Sequence, residues 1–273
     1  MASHVWAFVL GIVQGATEFL PISSTAHLKM IPWLFGIQNE FPVLASAQFD
    51  IALHAGSFIA ILLALWGDWV DLVKGAIARD PFKMRFLGFL IVTSVPGAIA
   101  GVLFEKSVES LSTPSEFHFA PLLVGTALVL FGVLLWAADR FAASGEPMET
   151  MTWTRAALIG LAQAAALIPG VSRSGATITS GRMLGLSRDA IARYSFMAAL
   201  PIIGGAAVFG LREVPMGELL SADWLIGFAA AAISSIVAMR FMLAYVRKHS
   251  FGAFAVYRAA AGVLLIVVFF LRG

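Results

Sequence analysis

The sequence predicts an all-α polytopic membrane protein with an inverted repeat, in which each half contributes one re-entrant helical hairpin and three transmembrane helices. Hydrophobic residues fill 60% of the 273 positions and charged residues 12%, which lies outside the range of soluble globular proteins. Six apolar stretches are long enough to cross a bilayer, which takes roughly 20 residues. A short polar motif also occurs once in each half, as in membrane proteins whose paired, interrupted segments form a buried polar site.

The apolar stretches fall into two classes. The predicted spans are residues 43–66, 84–104, 118–138, 190–211, 222–244 and 252–271. Two other segments, 5–20 and 156–168, are too short or too polar to span, and each leads into a turn that contains proline. We predict that each is the descending arm of a re-entrant hairpin, with ascending arms at about 25–36 and about 174–186. Irregular backbone at that depth must be buried in protein or line a wet cavity, so both turns are expected inside the bundle.

The chain is predicted to form a single membrane domain, residues 1–273, made of two repeats at about 5–140 and about 155–272. Aligning the two motifs without a gap pairs Gly11 with Gly160, Gln14 with Gln163, Ile22 with Val171 and Ser23 with Ser172. Because three spans are an odd number, the second repeat is expected to lie in the membrane in the opposite orientation.

Basic residues are concentrated in the loops on one side of the predicted spans, at about 67–85, 139–155, 187–193 and 245–251. These loops hold Lys74, Arg79, Lys83, Arg85, Arg140, Arg155, Arg188, Arg193, Arg247 and Lys248. We interpret Arg182 as another anchor on this side, and Arg258 as a flanking residue. The positive-inside rule makes this side cytoplasmic, so both termini and the mouth of the first hairpin are expected to face outward.

The first turn carries a dense group of polar side chains. The chain has no cysteine, which excludes thiolate metal ligands and a cysteine nucleophile. An ionisable residue in an apolar segment costs about 2.5 to 3.5 kcal/mol, so each one is a functional candidate. Gln14 and Glu18 are four residues apart and therefore share one helix face. The turn and the start of the ascending arm add Ser23, Ser24, Thr25 and His27.

The second turn supplies the opposite charge. Arg173 offers a planar fork that matches phosphate oxygens. Free N–H groups at the starts of both ascending helices also favour an anion between them. The hydroxyl donors of this turn are Ser172, Ser174 and Thr177. Together the two turns predict an anion clamp facing a hydroxyl that a neighbouring base can activate.

Structural roles for these residues are the alternative. Glu18 and Arg173 can form a buried ion pair that joins the two hairpins without catalysis. Serine and threonine in apolar helices often bond only to a backbone carbonyl. Asp50 and His54, at positions i and i+4 of the first span, are evenly balanced between a helix-packing hydrogen bond and a substrate contact.

At these residues the sequence resembles the bacitracin-resistance type of undecaprenyl pyrophosphate phosphatase, an integral membrane family of the bacterial envelope. The family has glutamate or glutamine, three residues, and then glutamate, which Gln14 and Glu18 match. A serine-rich turn ending in histidine follows, with Ala26 here in place of the more usual glycine. The family's second motif, proline-glycine-x-serine-arginine-serine-x-x-threonine, is matched in full by residues 169–177.

The resemblance implies hydrolysis of undecaprenyl pyrophosphate to undecaprenyl phosphate and inorganic phosphate, which recycles the lipid carrier of cell-wall synthesis and confers bacitracin resistance. It implies a protein of the bacterial inner membrane, and the distribution of basic residues predicts that its active site opens to the periplasmic side. The implied catalytic residues are Glu18, Ser24, His27 and Arg173, and the implied substrate-binding residues are Gln14, Ser23, Thr25, Ser172, Ser174 and Thr177.

A divalent cation is also implied as cofactor. Mg²⁺ or Ca²⁺ needs only one or two protein carboxylates beside substrate oxygens and waters, so we predict Glu18 and substrate oxygens as its ligands. The expected partners are a polyprenyl pyrophosphate lipid and the lipid bilayer. A nucleic-acid partner is not expected, and assembly as a homodimer is left open.

Two questions stay open at this point. The nucleophile is Ser24, His27 or a water molecule. The rival function is a flippase or transporter of undecaprenyl phosphate built on the same inverted repeat. The repeat itself favours the phosphatase because its halves differ in chemistry. Glu18 aligns with Leu167, and Ser24 aligns with Arg173.

Overall fold

A computed structural model describes residues 1–114, 116–142 and 145–272. The described chain is helical, with thirteen α-helices joined by short turns and single turns of 3-10 helix. The helices are α1 Ala2–Phe19, α2 Ser24–Phe35, α3 Ile37–Glu40, α4 Ala47–Ala64, α5 Trp66–Ile77, α6 Pro81–Ser112, α7 Ala120–Phe141, α8 Trp153–Ala164, α9 Arg173–Met183, α10 Arg188–Gly210, α11 Met216–Leu219, α12 Ala222–Val246 and α13 Gly252–Arg272.

Six helices in the described part of the chain are long and apolar enough to cross a membrane. They are α4, the Pro81–Phe104 part of α6, α7, α10, α12 and α13. The prediction of an all-α polytopic membrane protein with six spans is therefore confirmed. The first span begins later than residue 43, because Pro42–Ala45 forms a 3-10 turn and Ser46 caps α4 by accepting a hydrogen bond from the Phe49 N–H.

The two motifs form similar helix–turn–helix units. Helices α1 and α2 flank the first turn, and α8 and α9 flank the second. Ser23 and Ser172, which the sequence aligns, both have positive φ, 78° and 72°. Each side chain caps the following helix by accepting a hydrogen bond from the N–H three residues on, that of Ala26 or Gly175. The aligned turns therefore share one local structure, whereas the inverted orientation and the return of each hairpin to its own side stay predictions.

The first helix of each hairpin packs against a helix of the other half. Helix α1 lies against α12, and α8 lies against α6. Glycines allow both close approaches, since a Cβ at Gly11 would lie 2.5 Å from the Gly227 carbonyl oxygen and one at Gly160 would lie 2.8 Å from the Thr93 carbonyl oxygen. This reciprocal packing holds both turns inside the bundle.

Helix α5 lies in a segment that we predicted as a cytoplasmic loop. Its inner face continues from Leu65 through Trp69 to Leu72, which pack against the main apolar core. Arg193 of α10 pairs with Asp68 at 2.8 Å. Charged residues lower the hydropathy of this segment below that of a span, but the apolar i, i+4, i+7 pattern indicates an amphipathic helix.

Arg182 is a structural residue, and its interpretation as a simple membrane anchor was wrong. Its side chain is buried, and its Nε donates to Asp139 Oδ1 at 2.9 Å. Asp139 also accepts from Arg188 Nε at 2.8 Å and from the Phe251 N–H at 2.9 Å. This buried carboxylate therefore joins α7, α9, α10 and the segment before α13.

Candidate active site

The two turns meet at a cavity of about 170 Å³. Of the predicted site residues, its wall contains Glu18, Ser23, Ser24, Thr25, Ser172 and Arg173. Residues from motifs about 150 positions apart in the sequence therefore line one cavity, as the repeat predicts.

Glu18 is the centre of this polar wall. Its carboxylate is buried, and Oε2 accepts hydrogen bonds from Ser24 Oγ at 2.5 Å and from Gln14 Nε2 at 3.2 Å. Oε1 accepts from an Arg173 terminal nitrogen at 3.2 Å. The Ser24 hydroxyl thus donates to a carboxylate that can take its proton, which is the geometry of an activated nucleophile.

Arg173 brings the positive charge to the same place. One terminal nitrogen bonds Glu18, and the other donates to the Ser195 carbonyl oxygen at 3.0 Å. Its buried Nε has no hydrogen-bond partner among the described residues. The ion pair between the repeats is therefore present, and both of its members also line the cavity.

The caps explain why Ser24 and Arg173 occupy equivalent positions. Each is the first residue of its helix, α2 or α9, directly after the capping serine. Unbonded N–H groups in the first turn of a helix favour an anion. The two helix starts therefore add donors and partial positive charge beside the Arg173 guanidinium.

His27 makes two hydrogen bonds away from Glu18. Its Nδ1 lies 2.7 Å from the Ser23 carbonyl oxygen and its Nε2 lies 2.7 Å from the Tyr257 hydroxyl. Because a carbonyl oxygen only accepts, Nδ1 carries a proton, and Nε2 of the neutral ring accepts from Tyr257. The described cavity wall does not include His27, so its catalytic role stays a prediction.

His54 is the histidine that lines the cavity. Its Nδ1 lies 2.7 Å from the Asp50 carbonyl oxygen, which fixes the proton on that nitrogen. Its Nε2 faces Glu18 Oε2 at 3.8 Å. From the i, i+4 spacing, a helix-packing hydrogen bond and a substrate contact were evenly balanced. In the structure Nδ1 makes the helix-packing hydrogen bond, and Nε2 lies on the side of Glu18. Asp50 itself pairs with Lys29 at 3.6 Å.

Three predicted substrate-binding residues lie behind the cavity wall and form hydrogen bonds to wall residues or to residues close to them. Gln14 Nε2 reaches Ser57 Oγ at 3.4 Å as well as Glu18. Ser174 Oγ donates to the Leu20 carbonyl oxygen at 3.1 Å, and Thr177 Oγ1 donates to Gln163 Oε1 at 3.1 Å. Their direct contact with substrate stays a prediction.

Arg258 is a site-supporting residue that we misinterpreted as a flank of the basic face. It is fully buried, and it donates to the carbonyl oxygens of Pro21 at 3.1 Å, Gly170 at 2.7 Å and Val171 at 2.9 Å. One guanidinium thus holds both turns. The available signal was an arginine inside an apolar span, where a charge requires a specific partner.

The cavity does not fit a divalent cation held by protein side chains alone. In the described residues, no group of three or more His, Cys, Asp or Glu side chains could hold a metal ion. Glu18 is the one carboxylate in the described wall, and its oxygens already accept from Ser24, Gln14 and Arg173. Mg²⁺ and Ca²⁺ need six or more oxygen ligands, so the Mg²⁺ or Ca²⁺ dependence stays a prediction.

Comparison with known proteins gives one consistent result. The family model described as "Bacitracin resistance protein BacA" matches residues 7–264. An undecaprenyl-diphosphatase of Pelotomaculum thermopropionicum is 41% identical over 263 residues, covering 96% of this chain and 95% of the relative. An undecaprenyl-diphosphatase of Pelobacter propionicus is 42% identical over 275 residues, covering 96% of each chain. The chain therefore belongs to the bacitracin resistance protein BacA family.

Proposed function

We propose that this protein is an integral membrane phosphatase that hydrolyses undecaprenyl pyrophosphate to undecaprenyl phosphate and inorganic phosphate. The hydrogen bond from Ser24 Oγ to Glu18 Oε2, 2.5 Å long and next to Arg173, carries this proposal. The activity would recycle the lipid carrier of cell-wall synthesis and confer bacitracin resistance. The names of the full-length relatives support the same substrate.

In the proposed reaction Ser24 is the nucleophile. Glu18 accepts the hydroxyl proton while Ser24 Oγ forms a bond to the terminal phosphorus. The bond from that phosphorus to the bridging oxygen breaks, and its electron pair stays on undecaprenyl phosphate. The oxygen of a water molecule then forms a bond to the phosphorus of phosphoserine while the bond from phosphorus to Ser24 Oγ breaks. The proton held by Glu18 returns to Ser24 Oγ, and inorganic phosphate leaves with both protons of the water. His27 and a directly activated water molecule remain the alternative nucleophiles.

Arg173 is proposed to hold the phosphate oxygens. Its unpartnered Nε and the N–H groups at the starts of α2 and α9 offer donors on one side of the cavity. Donors that are already oriented stabilise charge that develops in the transition state at no further cost of reorganisation. The same donors neutralise the diphosphate when it leaves water.

The cavity is proposed to open to the periplasmic side of the bacterial inner membrane. The support is the concentration of lysine and arginine in loops on the opposite side of the spans. A product released on the outer side would be undecaprenyl phosphate in the outer leaflet.

A flippase of undecaprenyl phosphate is the second candidate. The reciprocal packing of α1 on α12 and of α8 on α6 is the kind of internal symmetry on which alternating access is built. Transport of a lipid phosphate would use the Arg173 clamp but would not require a hydroxyl bonded to a carboxylate. The Ser24–Glu18 bond therefore favours hydrolysis.

Phosphate release from a long-chain prenyl pyrophosphate by detergent-purified protein tests the proposal. We expect release by the unmodified protein, and a loss of about 100-fold or more in Ser24→Ala and Arg173→Ala. Ser180→Ala is the matched control, because that hydroxyl bonds only to carbonyls of its own helix, those of Ala176 and Thr177. Absence of release by well-folded unmodified protein, with or without Mg²⁺, would favour the flippase.

A further inference from the structure

A groove runs between α1 and α12 on the outer surface of the bundle, and it is separate from the active-site cavity. Its volume is about 400 Å³, against about 170 Å³ for the cavity, and the two share no lining residue. The exposed lining residues are apolar and include Phe8, Ile12, Ile233, Val237 and Phe241. In a membrane such a surface is covered by hydrocarbon chains, and a concave surface contacts a chain on more sides than a flat one does.

Small residues make the floor of this groove. Ala16 of α1 and Ser234 of α12 both line it. The Ser234 hydroxyl donates to the Ala230 carbonyl oxygen of its own helix at 2.7 Å, so its proton is already used. The floor is therefore suited to a hydrocarbon chain and not to a polar ligand.

Helix α12 continues past the end of α1. The two helices run side by side in the same direction, because a Cβ at Gly11 would lie 2.5 Å from the Gly227 carbonyl oxygen and one at Gly15 would lie 2.5 Å from the Ser235 nitrogen. Helix α1 ends at Phe19, four residues after Gly15. Since both helices rise equally per residue, α1 covers α12 only to about residue 239.

Arg240 is the first residue of α12 beyond the part that α1 covers. It is exposed, and it follows Val237 by three residues and Ile233 by seven, so these three residues share one face of α12. Arg240 forms no hydrogen bond or ion pair with any residue that the structure describes. An arginine near the end of a span extends its long side chain towards the head groups of the bilayer. Its guanidinium matches the geometry of phosphate oxygens.

We propose that Arg240 and this groove bind an anionic phospholipid of the leaflet on the basic side, which is the cytoplasmic leaflet in the proposed orientation. The head-group phosphate contacts Arg240, and one acyl chain lies along Val237 and Ile233 towards Phe8. A cation beside an apolar groove thus matches the two parts of such a lipid. The bound chain packs against α1, which carries Glu18, and so stabilises the helix that positions the active-site carboxylate. This site does not depend on the proposed phosphatase activity.

Lipid titration of the detergent-purified protein, followed by native mass spectrometry, tests the proposal. Dioleoylphosphatidylglycerol has a net negative charge, and dioleoylphosphatidylcholine has the same chains without it. The Kd of the first bound lipid is measured for the unmodified protein, for Arg240→Gln and for Ala16→Phe, which narrows the groove. Gel filtration and Tm show that each variant is folded.

Each variant has a matched control. Arg140→Gln removes another exposed arginine near the basic end of a span, that of α7, and Ala260→Phe adds the same ring to an exposed position of α13 outside the groove. Arg240→Gln changes an exposed side chain and keeps the test valid if Ala16→Phe does not fold.

We expect phosphatidylglycerol to bind the unmodified protein about 5-fold more tightly than phosphatidylcholine. Arg240→Gln should remove this difference, Ala16→Phe should weaken the binding of both lipids, and the two controls should change neither Kd. The proposal is overturned by equal binding of the two lipids to the unmodified protein, by a preference that survives in Arg240→Gln, or by unchanged binding in folded Ala16→Phe. A dimer of the unmodified protein that Ala16→Phe dissociates would also overturn it, because a second copy of the chain would then occupy the groove.

Discussion

Ser24 Oγ donates a 2.5 Å hydrogen bond to Glu18 Oε2, across a turn whose aligned counterpart supplies Arg173 to the other carboxylate oxygen. One carboxylate is thus the partner of the candidate nucleophile and of the candidate phosphate clamp. Removing it should affect proton transfer and the position of the guanidinium together.

Glu18→Gln keeps the size of this side chain but removes its negative charge. We expect kcat to fall about 100-fold or more, because the amide cannot take the Ser24 proton. KM should change less, because Arg173 then has no competing carboxylate. Steady-state phosphate release measures both constants, and a kcat within a few-fold of the unmodified protein would exclude Glu18 as the base.

The identity of the nucleophile can be read from the trapped intermediate. If Ser24 attacks phosphorus, acid quench during turnover of a substrate with a radiolabelled terminal phosphate should leave acid-stable label on the peptide that contains Ser24. The Ser24→Ala variant is the control and should carry none. Label that survives a parallel alkaline quench but is lost in acid would instead indicate His27, and no label after either quench would favour direct attack by water.

The two histidines near the first turn are predicted to respond differently. His54→Gln removes the imidazole nitrogen that faces the cavity, so we expect kcat to fall at least about 10-fold. Tyr257→Phe removes the hydroxyl bonded to His27 Nε2 and leaves the cavity wall intact, so kcat should change little. A large loss in Tyr257→Phe with none in His54→Gln would show that the His27 environment, and not His54, sets the rate.

Local patterns in the sequence were sufficient for the spans and for the two turns. Hydropathy depends on neighbours along the chain, and the six predicted spans are present. The alignment of Ser23 with Ser172 also predicted equivalent positions, and the two residues share both positive φ and the capping bond. That Glu18 and Arg173 would meet followed from the expectation that both turns lie inside the bundle.

Hydrogen bonds between residues far apart in the sequence account for the features that the sequence did not predict. The direction of the His27 ring depends on Tyr257, 230 residues away. Arg258 lies six residues after the start of α13, where an arginine close to a basic loop resembles an interfacial anchor. Its true partners are carbonyl oxygens of two turns, and no side-chain pattern marks a carbonyl as an acceptor.

The orientation of the protein can be tested with introduced cysteines, since the natural chain has none. Glu40 lies exposed after α2 and Ser250 lies exposed before α13, and we predict that they are on opposite sides of the membrane. In intact cells an impermeant maleimide should label Glu40→Cys and not Ser250→Cys. Permeabilised cells are the control, where both should react, and the reverse pattern in intact cells would place the cavity mouth on the cytoplasmic side.

Arg258→Lys should separate positioning from stability. Lysine keeps the charge, but its single nitrogen cannot reach carbonyl oxygens of both turns as the guanidinium does, and each lost charge-assisted hydrogen bond costs about 1.5 to 3 kcal/mol. Small displacements of reacting groups cost up to about 100-fold in rate, so kcat should fall by at least 10-fold with a smaller change in KM.

Arg182→Lys is the matched control, because Arg182 is also buried but bonds Asp139 and the Leu186 carbonyl oxygen, away from the turns. Both variants should lower the Tm in detergent, but only Arg258→Lys should lower kcat when activity is measured well below either Tm. If the two variants lose kcat in proportion to their loss of Tm, Arg258 contributes to stability alone.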